Sequence, residues 1–222
     1  MAEDKIFETQ DGSHSILSYK YGVSYHSKYG AIQESLHVFL KSALHEVALN
    51  KKAIRILEIG FGTGLNALLT FAKAQQHDLN IYYEAIEAYP ITVEQAKELN
   101  FATLLEEPML QDFFLEMHKS PWDEIVQLYE NFQLKKVNSL FENVSYKGGF
   151  DIIYFDAFAP SAQPELWEES ILQAMYDALD ENGIFVTYCA KGIVKRRLKA
   201  VGFSVESLPG PPGKREMTRG RK

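Results

Sequence analysis

The chain has 222 residues, of which 46% are hydrophobic and 24% charged, as is typical of one globular domain with a substantial core. No apolar run approaches the ~20 residues that a transmembrane helix requires, and the polar N-terminus lacks the apolar region of a signal peptide. Cys189 is the only cysteine, which excludes an intramolecular disulfide. We therefore expect a cytoplasmic protein without a membrane partner.

The charge is unevenly distributed along the chain. The net charge is −7, yet the segment from Lys191 onward holds ten basic residues and two acidic ones. A local basic patch can bind a polyanion even on an acidic protein. Two alternatives stay open at this point, contact with a nucleic acid or an ordinary solvated surface.

The first fifty residues predict a small β-hairpin followed by a helix. Alternating apolar and polar residues flank Asp11-Gly12, a dipeptide typical of two-residue hairpin turns. Apolar residues then recur at helical spacing from Ala31 to Asn50. We predict an extension over 1–50 and a main domain over 51–222, the two forming one compact unit.

Strands and helices alternate through the rest of the chain. Continuous apolar runs predict buried strands at 54–60, 80–87, 150–158 and 183–189. Helical spacing predicts helices at 65–76, 90–99, 100–122, 164–179 and 191–202.

Two prolines bear on those helices. Pro90 suits the first turn of the second helix, and Pro108 interrupts the third. Residues 124–141 predict two strands around a turn near Asn131, and the residues after 202 predict a hairpin. The fold class is therefore α/β, a Rossmann-like sheet with a C-terminal antiparallel hairpin and a small N-terminal β-hairpin extension.

A glycine loop follows the first buried strand, in "RILEIGFGTGLNALL" at residues 55–69. It lacks the Gly-Lys-Ser/Thr ending of a phosphate-binding P-loop. A dinucleotide fingerprint fits only in its looser form, counted from Gly62 through Gly64 to Ala67. That interpretation, and a turn that only lets strand and helix pack closely, remain as alternatives.

Acidic residues at strand ends favour a third interpretation. Glu58 precedes the glycines and suits a cationic ligand, while the helix N-terminus after Gly64 can accept a carboxylate. Glu87 ends the next strand, where a carboxylate can accept hydrogen bonds from both ribose hydroxyls. S-adenosylmethionine (SAM) combines a sulfonium, an ammonium, a carboxylate and a ribose without any phosphate, so this pattern favours SAM.

A further acid, Asp156, ends the apolar run of "YFDAFAP". Because the carboxyl ends of parallel strands meet at one edge of a sheet, we expect Glu58, Glu87 and Asp156 to face one crevice. Asp156 is either a turn cap or the group that holds a substrate amine and takes its proton. The six histidines show no metal-ligand spacing, so we predict no metal.

The longer motifs resemble a known family. "GFGTGLNALL", "FDIIYFDAFAPSAQPELWEESILQAM" and "GPPGKREMTRG" are similar, in this order, to the methyltransferase domain of the MnmC family of tRNA wobble-uridine modifying enzymes. The resemblance implies SAM-dependent methylation of the exocyclic amine of 5-aminomethyl-(2-thio)uridine at tRNA position 34. The implied partner is the tRNA anticodon region, and we expect a monomer.

The resemblance also implies roles for individual residues. The residues implied to surround SAM are Glu58, Gly60, Gly62, Gly64, Asn66, Glu87 and Asn138. Asp156 is the implied catalytic acid beside the substrate amine. The residues implied to line the base pocket are Phe158, Pro160, Lys214, Arg215 and Glu216.

The sequence departs from the family pattern in two places. Bifunctional members continue into a flavin-dependent oxidase domain, whereas this sequence ends at Lys222, so we expect no FAD and a substrate made elsewhere. Members also tend to have a Gly-Asp-type pair near the adenine, where Lys136, Val137 and Asn138 stand here. Two rival functions remain, a methyl- or aminopropyl-transferase acting on a small amine, and a non-catalytic RNA-binding protein on a degenerate SAM fold.

Overall fold

The computed structural model describes residues 4–222, so the first three residues of the predicted extension lie outside the described part. Strands β1 (Lys5–Glu8) and β2 (His14–Leu17) pair as the predicted antiparallel hairpin. The two-residue turn predicted at Asp11-Gly12 is wrong in length, because the turn runs from Thr9 to Ser13. The Asp11 carboxylate explains the longer turn, since it accepts hydrogen bonds from the backbone N–H of Ser13 and of Gln33, both at 3.0 Å.

The predicted N-terminal helix is present but is not a regular α-helix throughout. It consists of α1 (Ala31–Ser35), a π-helical segment (Leu36–Leu44) and α2 (His45–Ala48) in direct succession. Nine residues are a long run for a π-helix, which usually occurs as a single turn. The helix packs beneath the sheet and buries Val38, Phe39 and Ala43 completely or almost so.

The main sheet has eight strands in the order β5-β6-β4-β3-β7-β8-β10-β9. The strands are β3 (Ala53–Ile59), β4 (Asn80–Glu87), β5 (Ile125–Tyr129), β6 (Phe132–Asn138), β7 (Phe150–Phe155), β8 (Leu179–Thr187), β9 (Ser204–Pro209) and β10 (Glu216–Arg221). The five strands from β6 to β8 in this order run parallel, and β5 and β10 are antiparallel to their inner neighbours. The predicted Rossmann-like sheet with a C-terminal hairpin is therefore confirmed.

Helices cover both faces of the sheet. They are α3 (Leu65–His77), α4 (Val93–Lys97), α5 (Phe101–Leu104), α6 (Pro108–Lys119), α7 (Glu169–Ala178) and α8 (Gly192–Ala200). The N-terminal helix, α3 and α4 to α6 enclose one apolar core, while α7 and α8 enclose the other. Apolar residues on both faces explain why the central strands form continuous apolar runs.

Several element boundaries differ from the prediction. Helix α4 begins at Val93 rather than at Pro90, because the Thr92 side chain and Gln95 form a reciprocal cap there. Pro108 is the first residue of α6, where its missing N–H costs no hydrogen bond. Strand β7 ends at Phe155, so Asp156 is the first residue beyond it. No helix within residues 4–222 is long and apolar enough to cross a membrane.

Candidate cofactor and catalytic site

A cavity lies at the carboxyl ends of β3, β4 and β7. Strand β3 pairs with β4 on one side and with β7 on the other. The connection after β3 leads to β4 on one side, and the connection after β7 leads to β8 on the other. In open α/β sheets such a switch point is where ligands bind. Gly60, Gly62, Asn66, Glu87, Asp156 and Phe158 all line this cavity, so six of the predicted site residues are brought together.

The glycine loop closes the inner end of the cavity. Gly60 has a φ of +90°, and a Cβ there would lie 2.9 Å from the Asp156 carbonyl oxygen. Gly62 has a φ of +51°, and a Cβ there would lie 2.9 Å from the ring of Tyr25. Both positions therefore need glycine for backbone conformation and for close packing. Two backbone N–H groups, those of Gly60 and Phe61, donate to the Ile86 carbonyl and hold the loop against the end of β4.

Glu87 lies at the end of β4 and faces the glycine loop. Its carboxylate accepts hydrogen bonds from the N–H of Gly62 at 3.0 Å and of Tyr89 at 2.8 Å. Each oxygen keeps a second lone pair for a further donor. A pair of vicinal hydroxyls fits this arrangement.

Asn66 joins two carboxyl groups at the floor of the cavity. Its Nδ2 donates to Glu58 Oε1 at 2.8 Å and to Asp156 Oδ2 at 2.9 Å. Among the described residues no backbone N–H donates to the Asp156 carboxylate, so the turn-cap alternative does not describe its contacts. Asp156 is thereby oriented by a side chain and open to the cavity.

Burial sets the protonation of both carboxyl groups. Desolvation raises the pKa of Glu58 well above its usual range, which favours the neutral acid. Desolvation also raises the pKa of Asp156 to about 7; nearby Glu34 adds to this rise, while the Asn66 hydrogen bond and Lys214 oppose it. A carboxylate with this pKa can exchange a proton near neutral pH.

An aromatic strap, residues 18–25, crosses the outer side of the cavity. Tyr21 and Tyr25 pack against Phe158 with ring centroids 4.7 and 5.2 Å apart. Lys20 places its ammonium 2.9 Å from the ring centroid of Tyr89, and both residues line the cavity. Tyr21 and Tyr25 therefore form part of the cavity wall.

Two buried histidines contact Thr63 and hold the glycine loop in place. His26 Nε2 lies 2.7 Å from Thr63 Oγ1, and His118 Nε2 lies 3.2 Å from the Thr63 carbonyl oxygen. Burial lowers the pKa of each histidine to about 4, so both imidazoles are neutral at pH 7. No sequence pattern pointed to them, because Thr63 is far from both in the chain.

The C-terminal loop reaches the same region through an ion pair. Lys214 Nζ lies 2.6 Å from Glu34 Oε1 and 3.8 Å from the ring centroid of Tyr188. The Tyr188 hydroxyl donates to the Ala157 carbonyl at 2.8 Å. Lys214 is thus close to the segment that carries Asp156 but does not line the main cavity.

The remaining predicted site residues lie elsewhere. Glu58 and Gly64 lie beneath the cavity, where a Cβ at Gly64 would be 2.7 Å from Met117 Cε. Asn138 donates from its side chain to the Glu87 carbonyl at 3.0 Å, and the residues that follow it, Ser139 to Glu142, line the cavity instead. Pro160 lies in the turn after Phe158, outside the cavity lining.

Arg215 and Glu216 line a second, shallow depression, the basic cleft. It is formed by Ala159, Tyr188, Cys189, Ala190, Lys191, Lys214, Arg215 and Glu216. The Glu216 carboxylate is held by Lys195 at 2.7 Å. Within residues 4–222 no group of three or more His, Cys, Asp or Glu side chains could hold a metal ion.

Comparison with known proteins identifies the family. A family model described as S-adenosyl-L-methionine-dependent methyltransferase matches residues 110–222, just over half of the chain. The chain belongs to the S-adenosyl-L-methionine-dependent methyltransferases. This methyltransferase is an enzyme of the expected class, and its family uses SAM.

Curated relatives carry the resemblance to MnmC. The methyltransferase is 29% identical, over 95% of its length, to the tRNA 5-methylaminomethyl-2-thiouridine biosynthesis bifunctional protein MnmC of Burkholderia thailandensis. It is 28% identical, over 95% of its length, to the protein of the same name from Burkholderia mallei. It covers 34% of each, so it spans about a third of the length of these relatives.

Solved structures agree with the fold. The crystal structure of MNMC2 from Aquifex aeolicus superposes with a TM-score of 0.82 at 29% identity, covering 99% of this chain and 70% of that one. Spermidine synthase from Thermotoga maritima superposes with a TM-score of 0.55 at 18% identity, covering 98% of this chain and 68% of that one, which shows the shared fold.

The residues at the cavity fit the chemistry of SAM. Asn66 Oδ1 is buried without a hydrogen-bond partner among the described residues, so it is free to accept one from an ammonium. Three of the five residues from Gly60 to Gly64 are glycines, and Gly60 and Gly62 line the cavity with backbone atoms alone. Glu87 supplies acceptors for two hydroxyls, as a ribose requires.

Proposed function

We propose that this methyltransferase transfers the methyl group of SAM to the exocyclic amine of 5-aminomethyl-(2-thio)uridine at wobble position 34 of tRNA. The product is the 5-methylaminomethyl form. The observation that carries this proposal is the position of Asp156, whose carboxyl group opens into the cavity between the glycine loop and the aromatic wall of Phe158. Similarity to proteins named for 5-methylaminomethyl-2-thiouridine biosynthesis supports the choice of substrate.

The proposed cofactor contacts follow from the cavity. Gly60 and Gly62 present backbone to the cofactor, Asn66 accepts from its ammonium, and Glu87 accepts from its ribose. The segment from Ser139 to Phe141 lies where an adenine would extend beyond Glu87, which replaces the predicted side-chain contact from Asn138. When bound, SAM supplies an electrophilic methyl group on a sulfonium.

Asp156 acts on the substrate amine. An alkyl amine is protonated at neutral pH and has no lone pair until it loses that proton. With a pKa of about 7, Asp156 is partly ionised at pH 7 and can hold the ammonium and then take its proton. Neutral Glu58 orients Asn66 without placing a second negative charge beside Asp156.

The alignment of the reacting atoms supplies the rest of the rate enhancement. In-line displacement needs nitrogen, methyl carbon and sulfur on one axis, which bound geometry supplies. Phe158, Tyr21 and Tyr25 form an aromatic wall of mutually inclined rings on the same cavity as Asp156, and such rings can stack on a planar base. The anticodon loop presents such a base without a duplex to open.

The test is a methyl-transfer assay with labelled SAM. The substrate is bulk tRNA from cells that lack this methylation, and the product nucleosides are resolved by mass spectrometry. We expect label only in a nucleoside one methyl heavier than 5-aminomethyl-2-thiouridine or its oxygen analogue, and none after RNase pretreatment. Methylation of free polyamines, with tRNA left unlabelled, would contradict the proposal and favour a small-amine transferase. No SAM binding at all would favour a non-catalytic RNA-binding protein.

A further inference from the structure

The basic residues of the C-terminal segment divide into two groups. Of the ten from Lys191 onward, five form ion pairs with acidic side chains: Lys195, Arg197, Lys214, Arg219 and Arg221. Lys222 donates to the carbonyl oxygens of Tyr176 and Leu179. Within residues 4–222, Lys191, Arg196, Lys199 and Arg215 have no acidic partner within 4.0 Å.

Three of these four unpaired residues lie together at the basic cleft. Lys191 and Arg215 line it. The guanidinium of Arg196 lies over Gly192, next to Lys191, with its Nη1 3.3 Å from the position that a Cβ would take there. All three side chains are exposed, whereas Lys199 lies at the far end of α8.

The one acidic group in the cleft lining offsets only part of this charge. Glu216 is the acidic residue in the cleft lining, and its carboxylate is already held by Lys195. Three cations at one surface site repel one another unless an external anion neutralises them. The arrangement fits a ligand with several closely spaced negative charges.

The cleft is adjacent to the candidate base. Asp156, Ala157 and Phe158 line the main cavity, and the next residue, Ala159, lines the basic cleft. Tyr188 lines the cleft and donates to the Ala157 carbonyl. The cleft is therefore within reach of the backbone of a chain whose base enters the main cavity.

We propose that Lys191, Arg196 and Arg215 form a phosphate-binding rim that holds the RNA backbone beside the nucleotide presented to Asp156. The proposal rests on the proposed function and deepens it, because it makes the preferred substrate an RNA with flanking phosphates rather than a free nucleoside. It also moves Arg215 from the base pocket, where the family resemblance placed it, to the backbone of the substrate.

The test measures binding separately from methylation. Fluorescence anisotropy follows a labelled anticodon stem-loop RNA titrated with the full chain, from about 50 to 200 mM salt. Lys191→Gln, Arg196→Gln and Arg215→Gln each remove one charge. Loss of one phosphate contact to a single strand lowers the slope of log K against log salt by about 0.7, which weakens binding about fivefold at ~0.1 M salt.

Lys199→Gln is the matched control. It removes the same charge near the C-terminal end of α8, about 12 Å along the helix axis from Lys191 and about 4.5 Å from Arg196. Because Lys199 does not line the cleft, we expect its salt slope and affinity to equal those of the wild type. In the methylation assay, the rim variants should raise KM for tRNA and leave kcat and KM for SAM unchanged.

The outcomes separate the two proposals. Rim variants that bind RNA with the wild-type salt slope, or that lose no more affinity than Lys199→Gln, would overturn the rim. Wild-type protein that does not bind the stem-loop at low salt would overturn it too. RNA binding that depends on the rim, without methylation of any tRNA nucleoside, would retain the rim and reject the proposed function.

Discussion

Asn66 Nδ2 lies 2.9 Å from Asp156 Oδ2, and this hydrogen bond ties the helix after the glycine loop to the first residue beyond β7. The same amide group donates to buried Glu58. The cofactor loop and the candidate base are therefore positioned by one side chain. A shift of α3 would move the carboxylate that receives the substrate proton.

Replacement of Asn66 tests this connection. The active form of Asp156 is the carboxylate, so kcat/KM should rise with pH through about 7 in the wild type. The Asn66 hydrogen bond lowers the pKa of Asp156, so Asn66→Ala should move the midpoint of this rise to higher pH. The measurement is the pH profile of methyl transfer at subsaturating tRNA. A lower rate with an unchanged midpoint would mean that Asn66 acts on the cofactor or on packing and does not set the pKa of Asp156.

Asp156→Asn should separate cofactor binding from chemistry. The amide cannot take a proton from the substrate ammonium, so kcat should fall by about 100-fold or more. SAM affinity, measured by isothermal titration calorimetry, should change little because the proposed cofactor contacts lie on other residues. Asp112→Asn on the exposed side of α6 is the control and should leave both quantities unchanged. Equal losses of SAM binding and methyl transfer would place Asp156 in the cofactor site instead.

The two members of the Glu34–Lys214 ion pair should shift the pKa of Asp156 in opposite directions. Glu34 raises the pKa of Asp156 and Lys214 lowers it. Glu34→Gln should therefore move the rise of kcat/KM to lower pH, and Lys214→Met should move it to higher pH. Both variants break the same ion pair, so a shift in the same direction would show that loop displacement, and not charge, controls the profile.

Gly62→Ala should weaken the cofactor site. The new methyl group would lie 2.9 Å from Tyr25 Cδ1, at a φ of +51° that costs a residue with a Cβ about 1–2 kcal/mol. We expect KM for SAM to rise roughly tenfold, the equivalent of about 1.4 kcal/mol. Gly12→Ala, at a φ of +82° with no atom within 4 Å of the new methyl group, is the control. Its thermal stability should fall while its KM for SAM stays at the wild-type value, and a similar KM rise in both variants would rule out a local effect.

Local patterns in the sequence determined the architecture of this methyltransferase. Apolar periodicity is a property of neighbouring residues, so it predicted the four central strands and most helices to within a few residues. Acids at the carboxyl ends of parallel strands predicted one crevice, because sheet geometry brings those ends together. The structure places Glu87 and Asp156 there, with Gly60 and Gly62 between them. The third expected acid, Glu58, does not face the crevice, because it is fully buried beneath it under Asn66.

Only the tertiary structure decided which side chains act together. The strap from Ser18 to Tyr25 lies across the cavity and the two histidines hold Thr63, although these contacts join distant parts of the chain. The Lys214–Glu34 pair spans 180 positions, and it removes Lys214 from the cations free to bind a ligand. The sequence shows ten basic residues in the C-terminal segment, whereas their division into paired and free groups depends on the fold, because a charge is neutralised by its neighbours in space.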